Sequence, residues 1–378
     1  MGPLSLVIII DACGWLVAER SPALLDLAPA RRLRSVLGYS SACIPSLISG
    51  LWPEEHLHWS FFTRGGPNRI RVPGWVRMIP SGLRDRGRVR GRLSPFVARA
   101  SGFTGYFQLY QMPLDQLGGF GHGEPKDIFA PGGLNHGTSF VDDLAATPRE
   151  RWWQSDWHAG DAANWAGLEA AVRSPDRRFA FAYITGLDGW LHDHGRQHAG
   201  LPAQLDALAA RVRSVRAAAT AHHDAVRLLV VADHGMCTVT RHLDLFPRLA
   251  GTGLGTAWHG VLDSTMVRAW YADPAARERV RNALANVAGL RLLGRDELAR
   301  EHCTFPDTRY GEDLWLADPG VLLVPSHMGR TPLVAMHGYT PDHEDSDAWL
   351  ACTDPTVAPD SIVAAGQVIR RWAQEAAR

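Results

Sequence analysis

Lysine is nearly absent from this chain. Lys126 is the only one among 39 basic residues, and the arginines run the whole length, as a coding bias would leave them. Net charge is missing as well: 39 basic and 39 acidic residues give a formal +0. Nothing global therefore demands a nucleic-acid polymer or an anionic membrane as partner. Cysteine is sparse, odd in number and widely spaced (Cys13, Cys43, Cys237, Cys303, Cys352), with no Cys-x-x-Cys. A disulfide framework is not expected, and a reducing compartment is. Three of the five lie near residues nominated below as ligands. Small buried side chains are the expectation for them, with thiolate ligation as the alternative. No apolar run reaches bilayer length. The run at 4–10 is short, lacks a basic lead and ends in Asp11, unlike a signal peptide. The expectation is a soluble cytoplasmic protein with no membrane partner; the oligomeric state is left open.

What is present is a sizeable core. Over 378 residues, 46% are hydrophobic and 21% charged. This suits one catalytic domain spanning 1–378, with a loop-rich cap insertion at 62–138 and a subsidiary insertion at 243–329. Four apolar runs end in polar residues beside a Gly. Residues 4–10 lead to Asp11-Ala12-Cys13-Gly14, and 179–184 lead to Leu187-Asp188-Gly189. Leu228-Leu229-Val230-Val231-Ala232 leads to Asp233-His234-Gly235-Met236, and 333–336 leads to His337-Gly338-Tyr339. Continuous apolar runs read as strands buried on both faces of a mostly parallel sheet. Ligands bind beyond the carboxyl ends of such strands. The fold class is therefore α/β, a central sheet sandwiched by helices.

Each polar residue also has a plainer reading. Asp11 alone is a helix cap, and Asp-His-Gly alone is a surface turn. Asp188 and His192, four apart, share a face if a helix follows the third strand. A short helix is expected from about Pro45 to Ser49. A Ser before it, Ser40 or Ser41, meets backbone N–H groups that favour negative charge, although an N-cap is the plainer role. Residues 64–99 are dense in Arg, Gly and Pro and read as a loop-rich excursion with a solvated arginine face. Three Asp and three His, with a Ser, make a set of N and O donors suited to Zn²⁺ or another divalent ion. A pair of such ions suits phosphoryl transfer.

These motifs, in this order, resemble the alkaline phosphatase superfamily, nearest its nucleotide pyrophosphatase/phosphodiesterase branch. Asp188-x-x-x-His192-x-x-Gly195, Asp233-His234-Gly235-Met236 and His337-Gly338-Tyr339 match motifs of that branch. The resemblance implies that Asp188, His192 and His337 hold one zinc, while Asp11, Asp233, His234 and the nucleophile hold the other. It also implies a nucleophile ten residues before the Gly of Ser49-Gly50-Leu51-Trp52-Pro53, which lands on Ser40, with Ser41 the runner-up. His194 competes with His192, and His327 with His337, but the four-residue spacing from Asp188 favours His192 and the Gly-Tyr context favours His337. His56 matches a family His and is expected to be structural.

One departure matters. The branch places an Asn shortly after that His, whereas this chain reads His58-Trp59-Ser60-Phe61-Phe62. Ser60, His58 or an arginine of the following loop is left to face the phosphoryl oxygen. Cys43-x-Pro45-Ser46 resembles a sulfatase motif, but Leu47 stands where that motif has Arg. The implied activity is hydrolysis of a phosphodiester or nucleotide pyrophosphate, with a small phosphorylated or nucleotide substrate. Alternatives are a phosphomonoesterase or phosphonate hydrolase, and a metal-containing binding protein without turnover.

Overall fold

The structure is a computed structural model that describes residues 3–66, 68–84 and 86–378. Its centre is a six-stranded sheet. Across it the strands run Ala30–Leu33, Ala348–Cys352, Val226–Val231, Leu4–Ile10, Phe179–Ile184 and Trp152–Gln154. The last four are mutually parallel, and Ala348–Cys352 pairs antiparallel with both its neighbours.

The apolar runs are continuous because both faces of the sheet are covered. Val7, Ile9, Phe179, Phe181, Leu229 and Val231 face one apolar layer. Leu6, Ile8, Ala180, Ala182, Leu228 and Val230 face the other. Each fully buried Leu, Ile or Val contributes about 1.5–3 kcal/mol against chain entropy. The first layer is closed by the helices Ser40–Ser49 and Ile362–Ala377, through Ile44, Leu47, Ile369 and Trp372. The second is closed by Asp161–Val172 and Leu201–Thr220. All five cysteines are free and buried. No helix of the described residues is long and apolar enough to cross a membrane.

Two elements differ from the sequence reading. The helix expected from Pro45 begins at Ser40, because the N–H groups of Ala42 and Cys43 already bond the Tyr39 carbonyl. Pro45 thus lies inside the helix. Residues 64–99, read as loop-rich, carry most of a 15-residue helix, Gly87–Ser101. Gly87, Gly91 and Pro95 lower its intrinsic propensity. Tertiary contacts override this: Leu93 and Val97 pack with Phe62, Phe107 and Leu109, and Arg90 donates to the carbonyls of Tyr110 and Met112.

A second sheet orders its strands Trp258–Leu262, Met266–Tyr271, Asp313–Ala317 and Leu290–Leu292, all antiparallel. Arg268 is wholly buried there. It pairs with Asp263 at 2.7 Å and donates to the Phe62 carbonyl, tying this sheet to the chain that follows the site. Arg268→Met is expected to cost about 3–5 kcal/mol in urea denaturation, because it strands a buried carboxylate. A loss below about 1 kcal/mol, the surface-pair range, would show the pair to be dispensable.

Candidate active site

Three adjacent parallel strands deliver most of the polar residues to one edge of the sheet. Asp11 follows Leu4–Ile10, and Asp233 and His234 follow Val226–Val231. Phe179–Ile184 leads through Thr185 into the helix Gly186–His194, whose first turn carries Asp188 and whose last carries His192. His337 follows the short strand Ala335–Met336. Ser40 opens the helix Ser40–Ser49.

These side chains form two abutting groups, Asp11/Asp233/His234 and Asp188/His192/His337, each with donor atoms within 4.8 Å of one another. In the first, Nε2 of His234 lies 3.5 Å from Oδ1 of Asp11 and 3.2 Å from Oδ2 of Asp233. Ser40 Oγ lies 3.0 Å from the same nitrogen. In the second, Oδ1 of Asp188 lies 3.4 Å from Nε2 of His192 and 3.6 Å from Nε2 of His337. The rings of His234 and His337 stack at 3.8 Å, so the groups are neighbours.

Several of the remaining atoms of these residues are engaged. Asp11 Oδ2 accepts from the Tyr183 hydroxyl, and Asp233 Oδ1 accepts from the Ala12 N–H at 3.1 Å. Nδ1 of His192 donates to the Ala335 carbonyl, and Nδ1 of His234 donates to that of Gly235, which turns each Nε2 toward the carboxylates. Asp11 Oδ1, Asp233 Oδ2 and Asp188 Oδ1 are buried without a hydrogen-bond partner. They are the very oxygens that converge on the imidazole nitrogens. Orphaned carboxylate oxygens are costly in a protein interior, and a divalent cation satisfies them. The donor set, with the rings of His192 and His234 oriented by backbone carbonyls, fits such an ion.

Electrostatics agree with the geometry. Burial, then the Asp233 and Asp188 carboxylates, pushes the Asp11 carboxyl well above its usual range. Burial is also the main cause that pushes Asp233 up to about 7. Burial opposes the charged form of His192, but Asp188 outweighs it and holds the ring up to about 9. A protein without a cation here carries crowded carboxylates that repel one another.

Two glycines let the loops close. A Cβ on Gly235 would sit 2.2 Å from the Asp345 carbonyl oxygen, and Gly338, at φ 87°, would meet the Tyr39 ring at 2.5 Å. The motif glycines are thus required by packing next to the two clusters.

The rival residues go elsewhere. Ser41 Oγ donates to the Trp59 carbonyl. His194 bonds the Trp190 carbonyl, and His327 Nδ1 accepts from Leu262 N–H. Neither histidine is in the two groups, and neither is any cysteine. Asp11 does not cap a helix; Gly14 precedes the next one. His56 is fully buried between Ser46 Oγ and the His58 N–H.

A cavity of about 750 Å³ opens over Ser40, Asp11, Asp188, His192 and His337. Its aromatic wall includes Phe61, Tyr106, Tyr110, Phe129 and Trp157, with Glu124 and Asp127 among them. Burial pushes the Glu124 carboxyl up to about 8. For the place left without an Asn, the structure offers Ser60, which shares the cavity wall with Asp263. His58 is buried and accepts from the Asn135 N–H. No described arginine of 64–99 lines the cavity; Arg330 does. Tyr106, Tyr110 and Phe129 come from the irregular stretches 103–110 and 118–133, which as long loops in a compact domain are expected from sequence to lie over the site. Sequence reasoning missed Arg330 and Trp157, which match no spacing.

A profile of the type I phosphodiesterase / nucleotide pyrophosphatase family matches residues 125–339. No curated protein matches by sequence. Among solved structures, human ectonucleotide pyrophosphatase / phosphodiesterase 5 is similar, with TM-score 0.66 and 12% identity over 98% of this chain and 94% of that one. The murine protein gives 0.63 and 15% over 98% and 95%. An inactive murine variant in complex with AMP gives 0.65 and 14% over 99% and 95%. At such identities these structures establish the fold. The profile, which covers more than half of the chain, establishes more: this protein belongs to the type I phosphodiesterase / nucleotide pyrophosphatase family of the alkaline phosphatase superfamily and is a phosphoric ester hydrolase.

Proposed function

We propose that the protein hydrolyses phosphodiesters or nucleotide pyrophosphates through a covalent intermediate on Ser40, at a site that holds two zinc ions. The observation that carries this reading is the convergence of three orphaned carboxylate oxygens with three imidazole Nε2 atoms in two adjacent groups. Asp188, His192 and His337 would hold one ion; Asp11, Asp233, His234 and Ser40 the other. Such ions supply charge neutralisation at the attacking and leaving oxygens. Imidazole and carboxylate donors without thiolate favour zinc, with manganese next.

Ser40 fits the nucleophile's role by position. Its hydroxyl starts a 10-residue helix, where the backbone dipoles favour an alkoxide, and it faces His234. Its oxygen bonds phosphorus as the bond to the leaving oxygen breaks, and water then cleaves the phosphoseryl or nucleotidyl-seryl ester. Tyr183 and the Ala12 N–H hold the second oxygens of Asp11 and Asp233, so these carboxylates are oriented before substrate arrives. The aromatic cavity has room for a second ester substituent, which supports a diester over a monoester. The AMP complex of the murine relative supports a nucleotide as one such substituent.

Hydrolysis of bis(nitrophenyl) phosphate is expected to exceed that of nitrophenyl phosphate at equal zinc. The reverse order would assign a phosphomonoesterase. Zinc binding without turnover on either would leave a binding protein.

A further inference from the structure

The zero net charge of the chain is the sum of two unlike parts. Residues 64–99 contain ten arginines and one acid, Asp85, a net of +9. The remaining residues, with 29 basic and 38 acidic side chains, carry −9. The same segment concentrates exposed apolar surface. Six large apolar side chains are exposed among the described residues, and four of them lie here: Trp75, Met78, Leu83 and Phe96.

The helix Gly87–Ser101 separates two faces. Arg90, Leu93, Ser94 and Val97 are buried. Arg88, Arg92, Phe96 and Arg99 are exposed, at spacings of four, four and three that place them along one stripe. Phe96 packs edge-on against Trp75 at 5.6 Å. Trp75 lies three residues before Met78 on the helix Gly74–Met78, so the two are near neighbours on its surface. Met78 is the most exposed of the four, at 83%. The result is a patch of Trp, Phe and Met set among arginines.

We propose that this patch docks on an anionic phospholipid surface. Arginines beside protruding Trp, Phe and Met suit the headgroup region, which offers negative charge and apolar depth together. A nucleic-acid duplex would meet the arginines but leave Trp75, Met78 and Phe96 against water or phosphate. The segment is spliced between Phe61 and Tyr106, both of which line the catalytic cavity, and Arg90 anchors it to the carbonyls of Tyr110 and Met112. Docking would hold the cavity wall close to the membrane. This reading departs from the expectation of no membrane partner, which rested on a net charge that conceals the segregation.

The test is flotation of the full chain with vesicles of phosphatidylcholine, alone or mixed with phosphatidylglycerol. Binding is expected only to the mixed vesicles and is expected to weaken as salt rises. Arg88→Gln and Arg92→Gln should each weaken it about fivefold. Trp75→Ser with Phe96→Ser, which keeps every charge, should weaken it roughly tenfold or more. Circular dichroism of these surface variants should match wild type. The readout is binding, so it stands apart from the hydrolytic reading. Failure to bind mixed vesicles at low salt would overturn the proposal. So would indifference to the Trp75/Phe96 substitutions, tighter binding to duplex nucleic acid, or a dimer that buries the patch in place of lipid.

Discussion

Ser40→Ala is expected to lower the turnover number by about 10⁴-fold or more, since the proposed mechanism then loses its nucleophile rather than a contact. Substrate binding should change far less, because the cavity walls stay intact. Ser41→Ala is the informative companion. Its hydroxyl donates to the Trp59 carbonyl, so its loss should cost about 1 kcal/mol of stability and leave most of the activity. Steady-state rates on bis(nitrophenyl) phosphate check both. Full activity in Ser40→Ala, with none in Ser41→Ala, would move the nucleophile by one residue and break the link to His234.

Removal of divalent metal is the second large effect. Chelation is expected to abolish turnover and to lower the melting temperature together. The reason is the three buried carboxylate oxygens without partners and the mutual repulsion of Asp11, Asp233 and Asp188. A ligand present at a thousandfold its dissociation constant stabilises the folded state by about 4 kcal/mol, and the stripped protein forfeits that amount per ion. Zinc or manganese should restore both properties. Magnesium should not, because it prefers an all-oxygen octahedral shell to imidazole. Calorimetry with parallel rate measurements would check this. Unchanged melting and unchanged rate after exhaustive chelation would mean that the two groups serve some other end.

The part of this that was legible in the sequence has a common physical origin. Val7, Ile9, Leu229 and Val231 face one apolar layer while Ile8 and Val230 face the other, and only a strand covered on both sides needs such unbroken runs. The polar residues at their ends then stand out. Asp188 and His192 were readable as a pair because one helical turn separates them. The spacing to Ser49-Gly50 left Ser40 and Ser41 open, and what each hydroxyl touches distinguishes them.

The rest is written in long-range contacts. Helix Gly87–Ser101 runs against its own glycines and proline and is held by carbonyls some twenty residues away. The cavity wall draws Phe61, Tyr106, Trp157 and Arg330 from separate loops. The Arg268–Asp263 pair bridges the second sheet and the Phe62 carbonyl, and nothing in local patterning marks it. Charge segregation was countable but hidden by the zero total.

The most direct test of the central claim is the metal content of the purified chain, read by elemental mass spectrometry beside its activity. Two zinc ions per chain are expected for wild type, falling to one in Asp188→Ala with His337→Ala, because Asp11, Asp233, His234 and Ser40 keep the other. Full activity in a wild-type chain that holds one ion, or none, would contradict the account.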